Sequence, residues 1–339
     1  MKAVIMAGGE GRRLRAVSGE RPKPMVEFLG RPILEHIVLL LREQGFDDIC
    51  MSLKYKADDI RRHFGDGSDF GVRISYRVEG EPLGTAGGVK NCADFYGDEA
   101  FLVISGDAVC DFRLSELMER HRAESPAVTI ALHRHPSPLS YGLTVTDGEG
   151  LVRCFIEKPD WPRVVSDLVN TGIYIISPQV MESVPLGQSF DFAKDLFPLL
   201  LERGERLLGV CMEGYWCDVG SPLSYYRCCV DALEGRLHLS MAGGFAPAEP
   251  EKEAADSAEE GIDCPCRSRA ALMGALSEVF LDMGADYSDG IRLRGKNYSL
   301  RIAPRSSRSA VRISVESADA EFARRLAFSA RELAESFGL

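Results

Sequence analysis

No apolar run in the sequence reaches the roughly 18 residues a bilayer-spanning helix needs, and the N-terminus lacks the charged, apolar and small-residue succession of a secretory leader. A cytoplasmic chain without a membrane partner is the expectation, and no nucleic-acid partner is expected either. The ten cysteines lack zinc-finger spacing: Cys264-Pro-Cys266 and the adjacent Cys228 and Cys229 fit no such pattern. Cys50, Cys92, Cys110 and Cys154 sit in or beside apolar runs and read as reduced core thiols. A Gly-x-Ser-x-Gly elbow and a Cys/His dyad are missing, so covalent catalysis has no carrier. His133 and His135 have no third metal ligand at recognisable spacing, and His36 lies within an apolar helical stretch. There is no internal repeat, hexapeptide repeats included. Neither the Walker loop nor the dinucleotide fingerprint Gly-x-Gly-x-x-Gly occurs.

What is present begins at the first residue. Met1 to Ala7 is a short apolar run of strand type that empties into Gly8-Gly9-Glu10-Gly11-Arg12-Arg13-Leu14, followed by Pro22-Lys23-Pro24-Met25. Glycines directly after a strand let the backbone turn with positive φ and bring successive N–H groups near an anion. Arg12, Arg13, Arg15, Arg21 and Lys23 crowd that concavity in a chain of formal net charge −11. A local cationic excess of this kind points to a phosphate-rich ligand, and the loop reads as a nucleotide site. A β-turn beside a solvated basic face is the bland alternative.

From Met1 to about Ser240 strands and helices alternate. Apolar runs at 1–7, 48–53, 72–78 and 100–105 read as strands, and Pro32 to Gln44 as a helix ended by Gly45. The pattern predicts an α/β fold: a Rossmann-like, mostly parallel sheet with helices on both faces, and ligands beyond the C-terminal strand ends. Short strands at 127–132, 143–146, 151–156, 172–176 and 207–211 suggest hairpins beside it, and a helix from 222 to 233 closes the domain. Residues 241–261 carry six acids, one Lys and almost no large apolar side chains, which reads as a flexible linker. Residues 262–339 read as a small α+β domain. A fragment ending at Ser240 is therefore expected to fold and act alone.

The spacing Gly-Gly-x-Gly-x-Arg-Leu with Pro-Lys-Pro-Met after it resembles the signature of the sugar-1-phosphate nucleotidyltransferases, with Arg12 and Ala16 as departures that leave Arg13 in place. The resemblance covers essentially residues 1–238 and extends to Gly65–Gly71 and Phe190–Pro198, closest in pattern to bacterial mannose-1-phosphate guanylyltransferases. It implies the fold of the nucleotide-diphospho-sugar transferases. Its substrates would be a nucleoside triphosphate and a sugar 1-phosphate, with Mg²⁺ as cofactor. The nucleotide would meet Ala7, Gly8, Gly9, Gly11, Arg13 and Lys23, and the backbone at Gly84 and Thr85 would approach the base, although Thr85 could equally cap its own helix. Asp107, at the end of an apolar strand, and Asp218 would hold the metal, a hard cation that commonly takes one or two carboxylates. Gly142, Glu157 and Asn170 would line the sugar pocket and Lys158 would bind the sugar phosphate.

Arg13, Lys23, Asp107 and Asp218 would thus form the catalytic set. GTP with mannose 1-phosphate is favoured over UTP with glucose 1-phosphate. A glycosyltransferase or a non-catalytic nucleotide-sugar sensor is the rival from another class, and self-association is left open. Asp289-Gly290-Ile291 and the strand ending at Glu316 resemble the last domain of phosphohexomutases, but that domain's phosphate loop is altered here to Ala303–Ser309.

Overall fold

A computed structural model describes residues 1–11, 14, 21–135, 141–157, 165–239, 258–280, 285–287, 290–295, 298–305 and 310–336. The strands are β1 (Lys2–Met6), β2 (Glu27–Phe28), β3 (Arg31–Pro32), β4 (Asp48–Leu53), β5 (Arg73–Val78), β6 (Phe101–Ser105), β7 (Ala108–Cys110), β8 (Val128–Arg134) and β9 (Gly142–Thr146). They continue as β10 (Val152–Glu157), β11 (Leu168–Ile176), β12 (Leu207–Cys211), β13 (Trp216–Asp218), β14 (Ala258–Pro265), β15 (Ile291–Arg294), β16 (Tyr298–Pro304) and β17 (Ala310–Ser317). Contacts divide the chain into two units: Met1–Glu10 with Ile33–Asp218, and Gly11–Pro32 with Val219–Leu339. Among the described residues no helix is long and apolar enough to cross a membrane.

The first unit is built on one sheet in the order β10-β9-β11-β6-β1-β4-β5, with β8 on β11 and β12 on β8. β6, β1, β4 and β5 run parallel, and Ala3, Val4 and Ile5 are fully buried, as a central strand covered on both faces requires. β11 is antiparallel to β6, β8 and β9, so the second half of the sheet is mixed. The helix Ile33–Glu43 buries Ile33, Leu34, Ile37, Val38 and Leu41 on one face and is followed by Gly45 at φ +77°; Pro32 belongs to β3 rather than to the first helical turn. The Gly65–Gly71 motif is a turn. The Asp66 carboxylate accepts from Ser68 N at 3.0 Å, and a Cβ on Gly67 would lie 2.7 Å from Ile74 Cγ1.

The second unit contains an antiparallel sheet, β14-β17-β16-β15, with helices Arg269–Phe280 and Ala320–Ser336. Two expectations fail here. The stretch 241–261 is not linker to its end, because its last four residues begin β14, paired with β17 from Ala258↔Ser317 to Pro265↔Ala310. Local composition is acidic and poor in strand formers. A partner strand about fifty residues on supplies the pairing, and Cys264 is buried. The boundary at 240 also fails: the helix Pro222–Leu233 shares a core with the tail, Tyr226 and Val230 being buried with Cys264, Leu276, Phe280 and Leu326. Its start is fixed locally by Pro222 and by a reciprocal capping box in which Ser221 and Ser224 each take the other's backbone N–H. Residues 306–309 of the altered phosphate loop lie outside the described residues.

Candidate functional site

In the first unit, four parallel strands end on one edge of the sheet, so the segments that follow them are neighbours. Gly106 N donates to Met6 O, Ala7 N to Ser52 O and Glu79 N to Leu53 O, at 2.9, 2.9 and 2.8 Å. Ser105-Gly106-Asp107, Ala7-Gly8-Gly9, Lys54 and Glu79–Gly84 therefore follow one another along this edge. Gly106 is required by close approach: a Cβ there would lie 3.0 Å from Ala7 Cβ and from Met6 O. Among the described residues of the Gly-rich loop, the expected positive φ occurs only at Gly11, at +66°. Gly9 faces open space, which leaves its backbone accessible.

Asp107 and Asp218 are brought together by a two-stranded ribbon. β7 and β13 pair antiparallel with Asp218 opposite Ala108, the residue after Asp107. Ser105 Oγ donates to Asp107 Oδ1. Beyond the ribbon's far end, Tyr215 N donates to Asp111 Oδ1 at 2.6 Å and Asp111 N to Tyr215 O at 3.2 Å. Gly214, at φ +110°, would carry a Cβ 2.4 Å from that carboxylate, so the turn admits only glycine.

Both aspartates line a cavity of about 250 Å³ together with Tyr141, Gly142, Asn170 and Trp216. Asn170 sits where β11 bulges against β8, and its Oδ1 accepts from Gly172 N at 3.1 Å. Gly172, at φ +77°, lets this bulge pass 3.3 Å, measured from an added Cβ, from Ser105 Cβ. Gly142 is opposite Glu157 in the β9–β10 ladder, so the two predicted sugar-site positions share one register pair.

The aromatic wall was not assigned from sequence. Tyr141 meets Trp216 edge to face with ring centroids 5.4 Å apart, and His135 lies 4.7 Å from Tyr141. His133 packs between Phe112 and Trp216, and burial lowers its pKa. A packing role for this imidazole fits better than a metal role, and no group of three metal-ligating side chains occurs among the described residues. Tyr141-Gly142 and Tyr215-Trp216-Cys217-Asp218 are the sequence signal: an aromatic one residue before Gly142 and another two before Asp218.

At Gly84 and Thr85 the helix-cap alternative is the one that fails. Gly84, at φ +70°, is demanded by the protein itself, since a Cβ would lie 2.6 Å from Phe190 O. Thr85 does not cap its helix, which begins at Gly84. Its hydroxyl donates to Asp191 Oδ2 at 2.8 Å and accepts from Phe192 N at 2.9 Å.

Arg13 and Lys158 lie outside the described residues, as does the side chain of Glu157. Gly11 and Lys23 are in the second unit, where Lys23 is buried in a turn over Lys23–Met25 and Arg21 is exposed 3.8 Å from Glu27. A Cβ on Gly11 would lie 2.4 Å from Lys23 Cβ. Gly11→Ala should therefore displace Lys23 and cost about 2 kcal/mol or more through strain and overlap. An unchanged melting temperature would show that the turn relaxes freely.

The sequence model of the nucleotidyl transferase family matches residues 2–235. A UTP–glucose-1-phosphate uridylyltransferase of Synechocystis sp. is 38% identical over 240 residues, 67% of this chain and 62% of that protein. A mannose-1-phosphate guanylyltransferase of Mycobacterium tuberculosis is 33% identical over 234 residues, 69% of this chain and 65% of that one. The chain thus spans less than two thirds of the length of these curated relatives. Among solved structures, HddC from Yersinia pseudotuberculosis, complexed with GMP-PN, is 31% identical, with a TM-score of 0.60 over 68% of this chain and 99% of that chain. A putative glucose-1-phosphate thymidylyltransferase from Bacillus anthracis, in complex with a sucrose, has a TM-score of 0.63 at 25% identity, covering 68% of this chain and 95% of that chain.

Proposed function

The chain belongs to the nucleotidyl transferase family, and from that premise we propose that it joins a nucleoside triphosphate to a sugar 1-phosphate, releasing pyrophosphate, in the cytoplasm. The observation that carries this reading is the cavity in which Asp107 and Asp218, from distant parts of the chain, meet Gly142 and Asn170. Two anions must approach each other for the sugar phosphate oxygen to attack the α-phosphorus in line. Catalysis is then chiefly charge neutralisation and alignment.

Asp107, in the turn just before β7, and Asp218, at the end of β13, are hard oxygen donors in one cavity, which fits Mg²⁺ completed by substrate phosphates and water. Bound there, the ion would supply positive charge to the reacting phosphates. Asn170 and Gly142 fit a sugar's hydroxyls, and the Tyr141 and Trp216 rings fit the apolar face of a pyranose. The roles proposed for Arg13 and Lys23 are to neutralise the triphosphate, and for Lys158 to bind the sugar phosphate.

For substrate identity we favour GTP and mannose 1-phosphate, supported by relatives of that name at 33–34% identity. UTP with glucose 1-phosphate is the second reading, favoured by the 38% identical uridylyltransferase. A matrix of nucleoside triphosphates against sugar 1-phosphates, scored by pyrophosphate release with Mg²⁺, decides. The expected result is one preferred pair, GTP with mannose 1-phosphate, ahead of others by at least about a hundredfold in kcat/KM. Preference for UTP and glucose 1-phosphate would reverse the assignment. Absence of release with every pair would refute the transferase reading.

A further inference from the structure

We infer that Asp191 is a positioning residue for the nucleotide: it locks the loop of residues 82–87 from a segment more than a hundred residues downstream. The inference rests on the reading that this loop takes the nucleotide. Asp191 has two oxygens with separate tasks. Oδ1 accepts from Ala193 N at 2.9 Å and Lys194 N at 3.1 Å, capping the turn Phe192–Leu196, while Oδ2 accepts the Thr85 hydroxyl at 2.8 Å. Asp191 N in turn donates to Asp195 Oδ2 at 2.7 Å, so the carboxylate is held before it reaches the loop.

The backbone of the same segment completes the lock. Phe190 N donates to Leu83 O at 2.8 Å, and Phe190 O accepts from Ala86 N at 2.9 Å and Gly87 N at 3.0 Å. The approach is close enough that a Cβ on Gly84 or Gly87 would lie 2.6 Å from Phe190 O or 2.7 Å from Gln188 O. At its entry the loop is held by Glu79, whose carboxylate accepts from Ser52 Oγ at 2.9 Å and Leu83 N at 3.1 Å. Glu79 and Asp191 together fix both ends of a segment that begins two strands away from the Gly8 loop, about 10 Å along the sheet edge. A loop fixed in this way loses less conformational freedom when a ligand docks, and the gain goes to the substrate that touches the loop.

Asp191→Ala and Thr85→Val remove the same hydrogen bond from opposite sides. Each should raise the KM for the nucleoside triphosphate roughly tenfold, leaving kcat and the sugar 1-phosphate KM within about twofold. Each variant also loses bonds of its own, Asp191→Ala the cap on Ala193 N and Lys194 N and Thr85→Val the bond from Phe192 N, but the shared contact cannot be lost twice, so the double variant should fall clearly short of the product of the two single effects. Asp191→Asn and Thr85→Ser, which can still form a hydrogen bond here, should stay within about threefold of the parent. If Asp191→Ala does not fold, Thr85→Val with the parent's melting temperature carries the test. Equal rises in both KM values, multiplying effects in the double variant, or unchanged nucleotide KM in folded variants would overturn the inference. A parent protein that neither releases pyrophosphate from any substrate pair nor binds a nucleoside triphosphate by calorimetry would overturn the functional reading instead.

Discussion

Asp107→Asn and Asp218→Asn should each lower turnover by about a hundredfold, corresponding to about 3 kcal/mol of lost transition-state stabilisation. The amide preserves shape and removes the charge. Both line the same cavity at one end of the β7–β13 ribbon, Asp107 in the turn before β7 and Asp218 in β13 opposite the residue after Asp107. If the pair holds Mg²⁺, each variant should also weaken Mn²⁺ binding, measured by electron paramagnetic resonance with nucleotide present, while the melting temperature stays within about 2 °C, as expected of half-buried positions away from the core. Near-parental turnover in a folded variant would remove that aspartate from the site. A large fall in melting temperature would assign it to the ribbon's stability.

The second large effect is on stability. A chain cut after Ser240 should melt roughly 10 °C lower than the full protein or aggregate, because burying one tyrosine and one valine side chain is worth about 4 kcal/mol in sum. Tyr226 is fully buried, meets Phe280 edge to face with ring centroids 5.0 Å apart, and shares its core with Val230 and the strands and helices of the tail. On another side of the same helix, Tyr225 stays engaged in the fragment: its hydroxyl donates to Glu27 O at 2.7 Å and its ring lies edge-on to Phe28. Cutting therefore strips one face of a helix and leaves the other covered. Tyr226→Ser with Val230→Ser in the fragment should recover solubility, and transferase activity in that variant would show that the tail covers the helix without joining the chemistry. Differential scanning calorimetry of the full chain and the fragment is the direct measurement. Equal melting temperatures would restore the boundary at residue 240.

By itself the sequence determined the elements whose pattern is local. The first four strands of the main sheet were legible because their apolar runs are short and bounded by turns, and the helix Pro222–Leu233 because Ser221, Pro222 and Ser224 write its start into adjacent residues. Asp107, Asp218, Gly142 and Asn170 could be named from the family resemblance of the motifs that hold them, and the fold gathers them at one cavity. Only the tertiary structure decided what depends on partners far along the chain. β14 forms in an acidic stretch because β17 offers it a ladder, and Tyr226 is core because the tail covers it. Thr85, a plausible helix cap or base contact by sequence, gives its hydroxyl to Asp191 and Phe192. Gly84 is glycine because Phe190 O is 2.6 Å from where its Cβ would be. Hydrophobic period and capping are properties of neighbours in sequence, whereas strand pairing, close backbone approach and the second partner of a hydroxyl are set by neighbours in space.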